Sequence, residues 1–204
     1  MNAAVKQRIS GFPPSRYPWY VRLILKLQQR KYGRALEPTL LWGRMPRSFL
    51  LLTLLYRSID RAASPLDPEL RSLVQVRISQ INWCTFCVDL NSAAALERHS
   101  TPEKLAALAE HATSPLFSDR ERAALAYAEA VTDPARNVDD RLFAQLRRHF
   151  PDQEIVELTA LIAFQNLSSK FNAALGVPAQ GFCAVRPNTR SSATRIEPSR
   201  GGVK

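Results

Sequence analysis

The chain has 204 residues, 46% of them apolar, enough for one domain with a real hydrophobic core. Its formal charge of +10 sits in the ends: residues 1–34 carry eight Lys/Arg and no acid, residues 184–204 carry five and one, and residues 35–183 carry fifteen basic and seventeen acidic residues. A nearly neutral body lacks the basic stripe of a nucleic-acid binder, and no apolar stretch reaches the length of a membrane span.

With only 7 glycines and no alternating β-branched run, the composition leans to an all-α fold. The N-terminus MNAAVKQRISGFPPSRYPWY has no apolar core followed by a small-residue cleavage site, so a cytoplasmic location is expected. The first predicted helix, Tyr17–Tyr32, is aromatic and basic, with Gly33 as its C-cap. It could lie on a membrane surface, or pack on its own domain or a sister subunit. Residues 1–34 are thus read as a basic N-terminal arm. A short helix is expected near Pro38–Arg44. Pro46 then opens an apolar helix running to about Ala62, and FLLLTLLY within it predicts burial. Asp67-Pro68 is an N-cap with Pro at N1, starting a helix through ELRSLVQVRISQIN. The next helix is expected from Asn82 to His99. Thr101-Pro102-Glu103 opens a short one. Ser118 and Glu121 form a capping box ahead of RAALAYAEAVT. Asp139 or Asp140 starts RLFAQLRRHF. Asp152 starts a long closing helix ended by Gly176 and Pro178. Residues 35–183 thus form one helical domain of about eight to nine helices with the arm. Residues 184–204, rich in Pro, Ser and Arg, read as a disordered tail.

Chemistry concentrates in SQINWCTFCVDLNSAAA, residues 79–95. Three cysteines are an odd count without a secretory signal, so a structural disulfide framework is not expected. Zinc would need about four ligands, and Cys183, His99, His111 and His149 show no ligand-like spacing. No metal and no cofactor is expected. A redox dithiol fits better. With Asn82 as N-cap, Cys84 falls in the first helical turn, where free N–H groups and the positive helix end favour a thiolate. Cys87 lies one turn on, and Asn91 follows at i+4 on the same face. Cys183 reads as a buried or inert thiol.

The segment LDPELRSLVQVRISQINWCTFCVDLNSAAA resembles the carboxymuconolactone decarboxylase/alkylhydroperoxidase D-like family. PLFSDRERAALAYAEAVT and IVELTALIAFQNLSSKFNAALGVP are similar to its next core helix and its closing helix, so the likeness spans residues 65–178. The resemblance implies an all-α, alkylhydroperoxidase D-like domain that assembles as trimers or hexamers. It also implies thiol-dependent reduction of hydroperoxides, with Cys87 attacking the peroxide, Cys84 resolving it and an unknown thiol as reductant. The helix-terminus argument alone would instead make Cys84 the more reactive thiol. The decarboxylase branch acts on a lactone acid without a redox CxxC, so the retained pair argues against that reaction.

The pattern departs from the family's proton relay. Its glutamate and two histidines fall here on Ser72, Phe86 and Asn91, none of which titrates near neutral pH. Glu69, one turn before Ser72, is the nearest substitute. Asp89, next to Cys87, is expected to face away from the thiol. The closing helix is unusually polar at Gln165, Asn166, Ser168, Ser169 and Lys170, and Lys170 could stabilise a thiolate. Trp83 and Phe86 are expected to make the pocket apolar, suiting an organic hydroperoxide. Two alternatives stand beside the peroxidase: a protein thiol–disulfide oxidoreductase or redox sensor on the same fold, and a non-catalytic helical oligomer whose basic arm docks on a membrane or nucleic acid.

Overall fold

The computed structural model describes residues 7–183, so the expected tail at 184–204 lies outside the described residues. Nine α-helices and no strand occur among them: α1 (Trp19–Tyr32), α2 (Glu37–Trp42), α3 (Pro46–Ile59), α4 (Pro68–Ile81), α5 (Thr85–Glu97), α6 (Pro102–Ala106), α7 (Asp119–Thr132), α8 (Asp140–Arg147) and α9 (Asp152–Ala174). The boundaries follow local chemistry. Asp67 accepts from Leu70 N–H at 2.9 Å and Pro68 occupies the first turn of α4. Ser118 and Glu121 close a reciprocal capping box on α7. After α9, Gly176 takes φ 65°, and the Gly176 and Val177 N–H groups return to the Ala173 and Asn172 carbonyls, a Schellman ending.

Helix α4 is the axis of the body. It is buried on most sides and packs against α5, α7 and α9. Leu73, Val74, Val76 and Ile78 are fully enclosed by Leu125, Leu158, Leu161 and Ile162, among others. Each such buried aliphatic side chain contributes about 1.5–3 kcal/mol. Arg77 leaves this core sideways to bond Glu129 of α7 at 2.6 Å, and His111 Nε2 donates to the same carboxylate at 3.2 Å. Burial alone would raise the Glu129 carboxyl; the bond from His111 and the Arg77 guanidinium outweigh it and hold the pKa at about 2.

Two expectations need correction. The leucine-rich α3 is not a buried helix: among its apolar residues only Phe49 is buried, while Leu51 is 67% and Leu54 56% exposed. The turn before the cysteines is also shifted. Asn82 is the C-cap of α4, Trp83 takes φ 56°, and Cys84 itself is the N-cap of α5. The left-handed turn at Trp83 uses up the residue that a helix starting at Asn82 would have included.

Segment α1 packs on the body. Tyr17, Val21 and Leu25 cluster with Phe49, and Tyr17 donates to the Leu40 carbonyl at 2.7 Å. Its opposite face leaves Trp19, Leu23 and Leu27 exposed, one turn apart.

Candidate active site

Cys84 and Cys87 are joined by a disulfide, with Cα atoms 5.3 Å apart. Both are enclosed: Cys84 is 1% and Cys87 4% exposed. As N-cap, Cys84 Sγ accepts the Cys87 N–H at 3.2 Å, so the helix start is capped by sulfur. Asn172 of α9 reaches across and donates Nδ2–H to Cys87 Sγ at 3.3 Å. The other amide atom, Asn172 Oδ1, is buried and finds no partner among the described residues.

A cavity of about 940 Å³ opens between α1, α3, α5 and α9, and its lining includes Cys87 but not Cys84. Phe86, Leu90 and Asn91 line it from α5, and Phe49, Leu52 and Tyr56 from α3. Helix periodicity explains α3. Positions 49, 52, 53, 56, 57 and 60 face the cavity, and the intervening leucines therefore face outward. Ile24, Gln28, Lys31 and Tyr32 of α1 form another wall.

The closing segment is fastened by Asp89. Its carboxylate accepts from the Gln180, Gly181 and Cys183 N–H groups at 2.7–2.8 Å. This lays Phe182 against Phe86 and Tyr32, and Phe182 joins the cavity lining. Asp89 therefore turns away from the sulfur and acts as a buried anchor.

The remaining predicted residues take these places. Asn91 lines the cavity and donates to Ser79 Oγ at 3.4 Å rather than to a cysteine. Gln165 donates to the same hydroxyl at 2.9 Å. Asn82 bonds Asn166 and Ser169 at 2.9 and 2.8 Å, tying the turn to α9. Glu69 is not brought to the sulfur: it pairs with Lys104 at 3.0 Å, outside the cavity lining, because its side of α4 meets the α6 region. Ser72 accepts from Arg98 at 3.1 Å. Lys170 is exposed and absent from the lining, and Trp83 is 73% exposed, so neither shapes the pocket as expected; Phe86 does. Among the described residues, no ionisable side chain is hydrogen-bonded to Cys87 Sγ.

Sequence reasoning missed Asn172, Tyr56 and Arg98. At the end of the cavity away from the sulfur, Asp60 is bonded by Arg71 at 2.5 Å, Arg98 at 2.9 Å and Tyr56 Oη at 3.0 Å. Burial, with the Asp60 carboxylate beside it, pushes the Tyr56 phenol up to about 12, so it stays a donor at neutral pH. Asn172 was legible in one respect: the buried stripe Ile155, Leu158, Ile162, Gln165, Ser169, Asn172 turns polar as it nears the cysteines.

A model of the carboxymuconolactone decarboxylase family matches residues 48–130, from the cavity wall on α3 through the cysteine helix to α7. YnjA, an uncharacterized protein of Escherichia coli K12, is 47% identical over 182 residues, covering 89% of this chain and all of that one. The chain belongs to the carboxymuconolactone decarboxylase family. Solved structures share its fold. An alkylhydroperoxidase AhpD core, an uncharacterized peroxidase-related protein from Ralstonia eutropha JMP134, superposes with a TM-score of 0.77 at 23% identity, covering 86% of this chain and 94% of that one. The debrominase Bmp8 gives a TM-score of 0.74 at 24% identity over 85% and 92%. At such identities the fold is common to all three, and the reaction has to be argued from the site. In this member of the family, the match to the family model ends before α9, which supplies Asn172.

Proposed function

We propose that the protein is a thiol-dependent peroxidase that reduces organic hydroperoxides. The observation that carries this reading is a cavity of about 940 Å³ with Cys87 in its wall, where Cys87 is bonded both to Cys84 and to the Asn172 amide. In the reduced form the Cys87 thiolate attacks the terminal oxygen of R–O–O–H. The S–O bond forms, the O–O bond breaks, and RO⁻ leaves and takes a proton as ROH. The Cys84 thiolate then attacks the Cys87 sulfenic acid, forming the S–S bond and expelling hydroxide, which becomes water. Two electrons pass from the sulfur pair to the peroxide. Asn172 Nδ2–H supports the attacking thiolate. With no ionisable side chain hydrogen-bonded to Cys87 among the described residues, water entering the cavity supplies the protons.

The two cysteines have different talents. Cys87 has the access. Cys84 has the helix terminus, which favours its thiolate and so makes it the better leaving group when the disulfide is reduced. An external thiol therefore enters by the cavity, attacks Cys87 and releases Cys84. Because Cys87 is only 4% exposed, a slender thiol suits this route better than the face of a folded oxidoreductase.

The same reading takes the chain as a homo-oligomer, supported by the exposed leucines of α3 and the exposed Trp19, Leu23 and Leu27 of α1. The chemistry is tested with prereduced protein and cumene hydroperoxide, following peroxide loss and thiol mass. Cys87→Ser should abolish consumption. Cys84→Ser should stop at a Cys87 sulfenic acid or a mixed disulfide. Undiminished consumption by Cys87→Ser would overturn the proposal.

A further inference from the structure

The cavity has two chemically different ends, and two helices measure the distance between them. On α5, Cys87, Asn91, Ala94 and Arg98 all line the cavity. At about 1.5 Å rise per residue, Cys87 and Arg98 stand about 16 Å apart along the axis. On α9, Asn172 touches the Cys87 sulfur and Phe164 stacks on Tyr56, ring centroids 5.2 Å apart. That is about 12 Å of helix running the opposite way. Between the ends Leu52, Leu90, Ala93, Ala94 and Phe164 give an apolar or small lining, with the polar Thr53, Asn91, Gln165 and Ser168 beside them.

The far end carries positive charge. Asp60 there meets two guanidiniums, Arg71 and Arg98. Arg57, beside Tyr56 on α3, also lines the cavity, is exposed, and forms no ion pair among the described residues. Glu97 adds one negative charge to the lining, and the cluster keeps one net positive charge because the buried Arg71, behind the lining, neutralises Asp60. A small neutral peroxide would use none of this. An elongated apolar molecule with an anionic head would use all of it, since a guanidinium grips a carboxylate through paired N–H donors.

We infer that the cavity takes a long-chain fatty-acid hydroperoxide, its carboxylate held by Arg57 and Arg98 and its mid-chain peroxide at Cys87. The acid site stands on the cavity; the reacting group rests on the peroxidase reading above.

The two parts are tested separately. Binding of oleic acid and of its methyl ester to the disulfide form is titrated calorimetrically, with no peroxide present. The acid should bind about tenfold or more tightly than the ester, in line with a hydrogen-bonded ion pair. Arg57→Gln should erase that preference, Arg57→Lys should restore part of it, and Lys31→Gln, a cation on the α1 wall, should retain it. In turnover, the preference for linoleic acid hydroperoxide over tert-butyl hydroperoxide should fall about tenfold in Arg57→Gln, carried by KM. Equal binding of acid and ester by the wild type, or loss of the preference in Lys31→Gln instead of Arg57→Gln, overturns the acid site. If the acid preference follows Arg57 but no hydroperoxide is consumed, the acid site is upheld and the peroxidase reading falls.

Discussion

The amide of Asn172 donates to the sulfur of Cys87 from 3.3 Å, joining α9 to the cysteine helix at the wall of the cavity. Among the described residues no ionisable side chain is hydrogen-bonded to this sulfur, so on the peroxidase reading the neutral amide is the side-chain support of a Cys87 thiolate. We predict that in a Cys84→Ser background Asn172→Ala moves the pH midpoint of Cys87 alkylation upward by about one unit. A midpoint that stays in place would show that the bond is only structural.

Asp89 accepts three backbone N–H groups from residues 180–183 while itself buried. Replacing it leaves those donors without their common acceptor. Asp89→Ala should cost about 1–3 kcal/mol in urea unfolding. It should also speed amide exchange in the 180–183 segment before the core exchanges. Asp89→Asn, which keeps an acceptor oxygen, should fall between. Exchange as slow as wild type in Asp89→Ala would reject the anchor.

Glu129 sets an acid limit on stability. Its folded pKa of about 2 lies below the ordinary 4.5 of a glutamate, so its contribution is fully present above pH 4.5 and lost as the pH falls through about 2. A shift of this size corresponds to about 3 kcal/mol. Glu129→Gln should be less stable than wild type at pH 7, and the two should converge as the pH approaches 2. Parallel stability curves across that window would contradict the assignment.

The exposed leucines of α3 should mark a contact between copies. Leu51→Arg with Leu54→Arg should lower the mass seen by light scattering in solution, with helical content unchanged. An unchanged mass would place the interface elsewhere.

Much of this architecture is written locally. Asp67-Pro68, the Ser118–Glu121 box and the Gly176 ending each satisfy their own backbone groups, and each was readable where it stands. The start of α5 was misread by two residues because Asn82 is as good a cap as any, and the left-handed turn at Trp83 has no mark in residue type. Burial of α3 was misjudged for a different reason. Apolar count says that a helix wants cover, but not whether its own chain supplies it. The meeting of Tyr56, Asp60, Arg71 and Arg98 joins α3, the loop after it, α4 and the end of α5, and no local pattern announces such a meeting.

One wall of the cavity comes from α1, through Ile24, Gln28, Lys31 and Tyr32. The N-terminal stretch is thus no detachable appendage. Trimming the chain at residue 34 would leave the sulfur pair on an open-sided trough, where water and bulky thiols arrive unsorted. On the peroxidase reading, selectivity among oxidants would disappear before reactivity did.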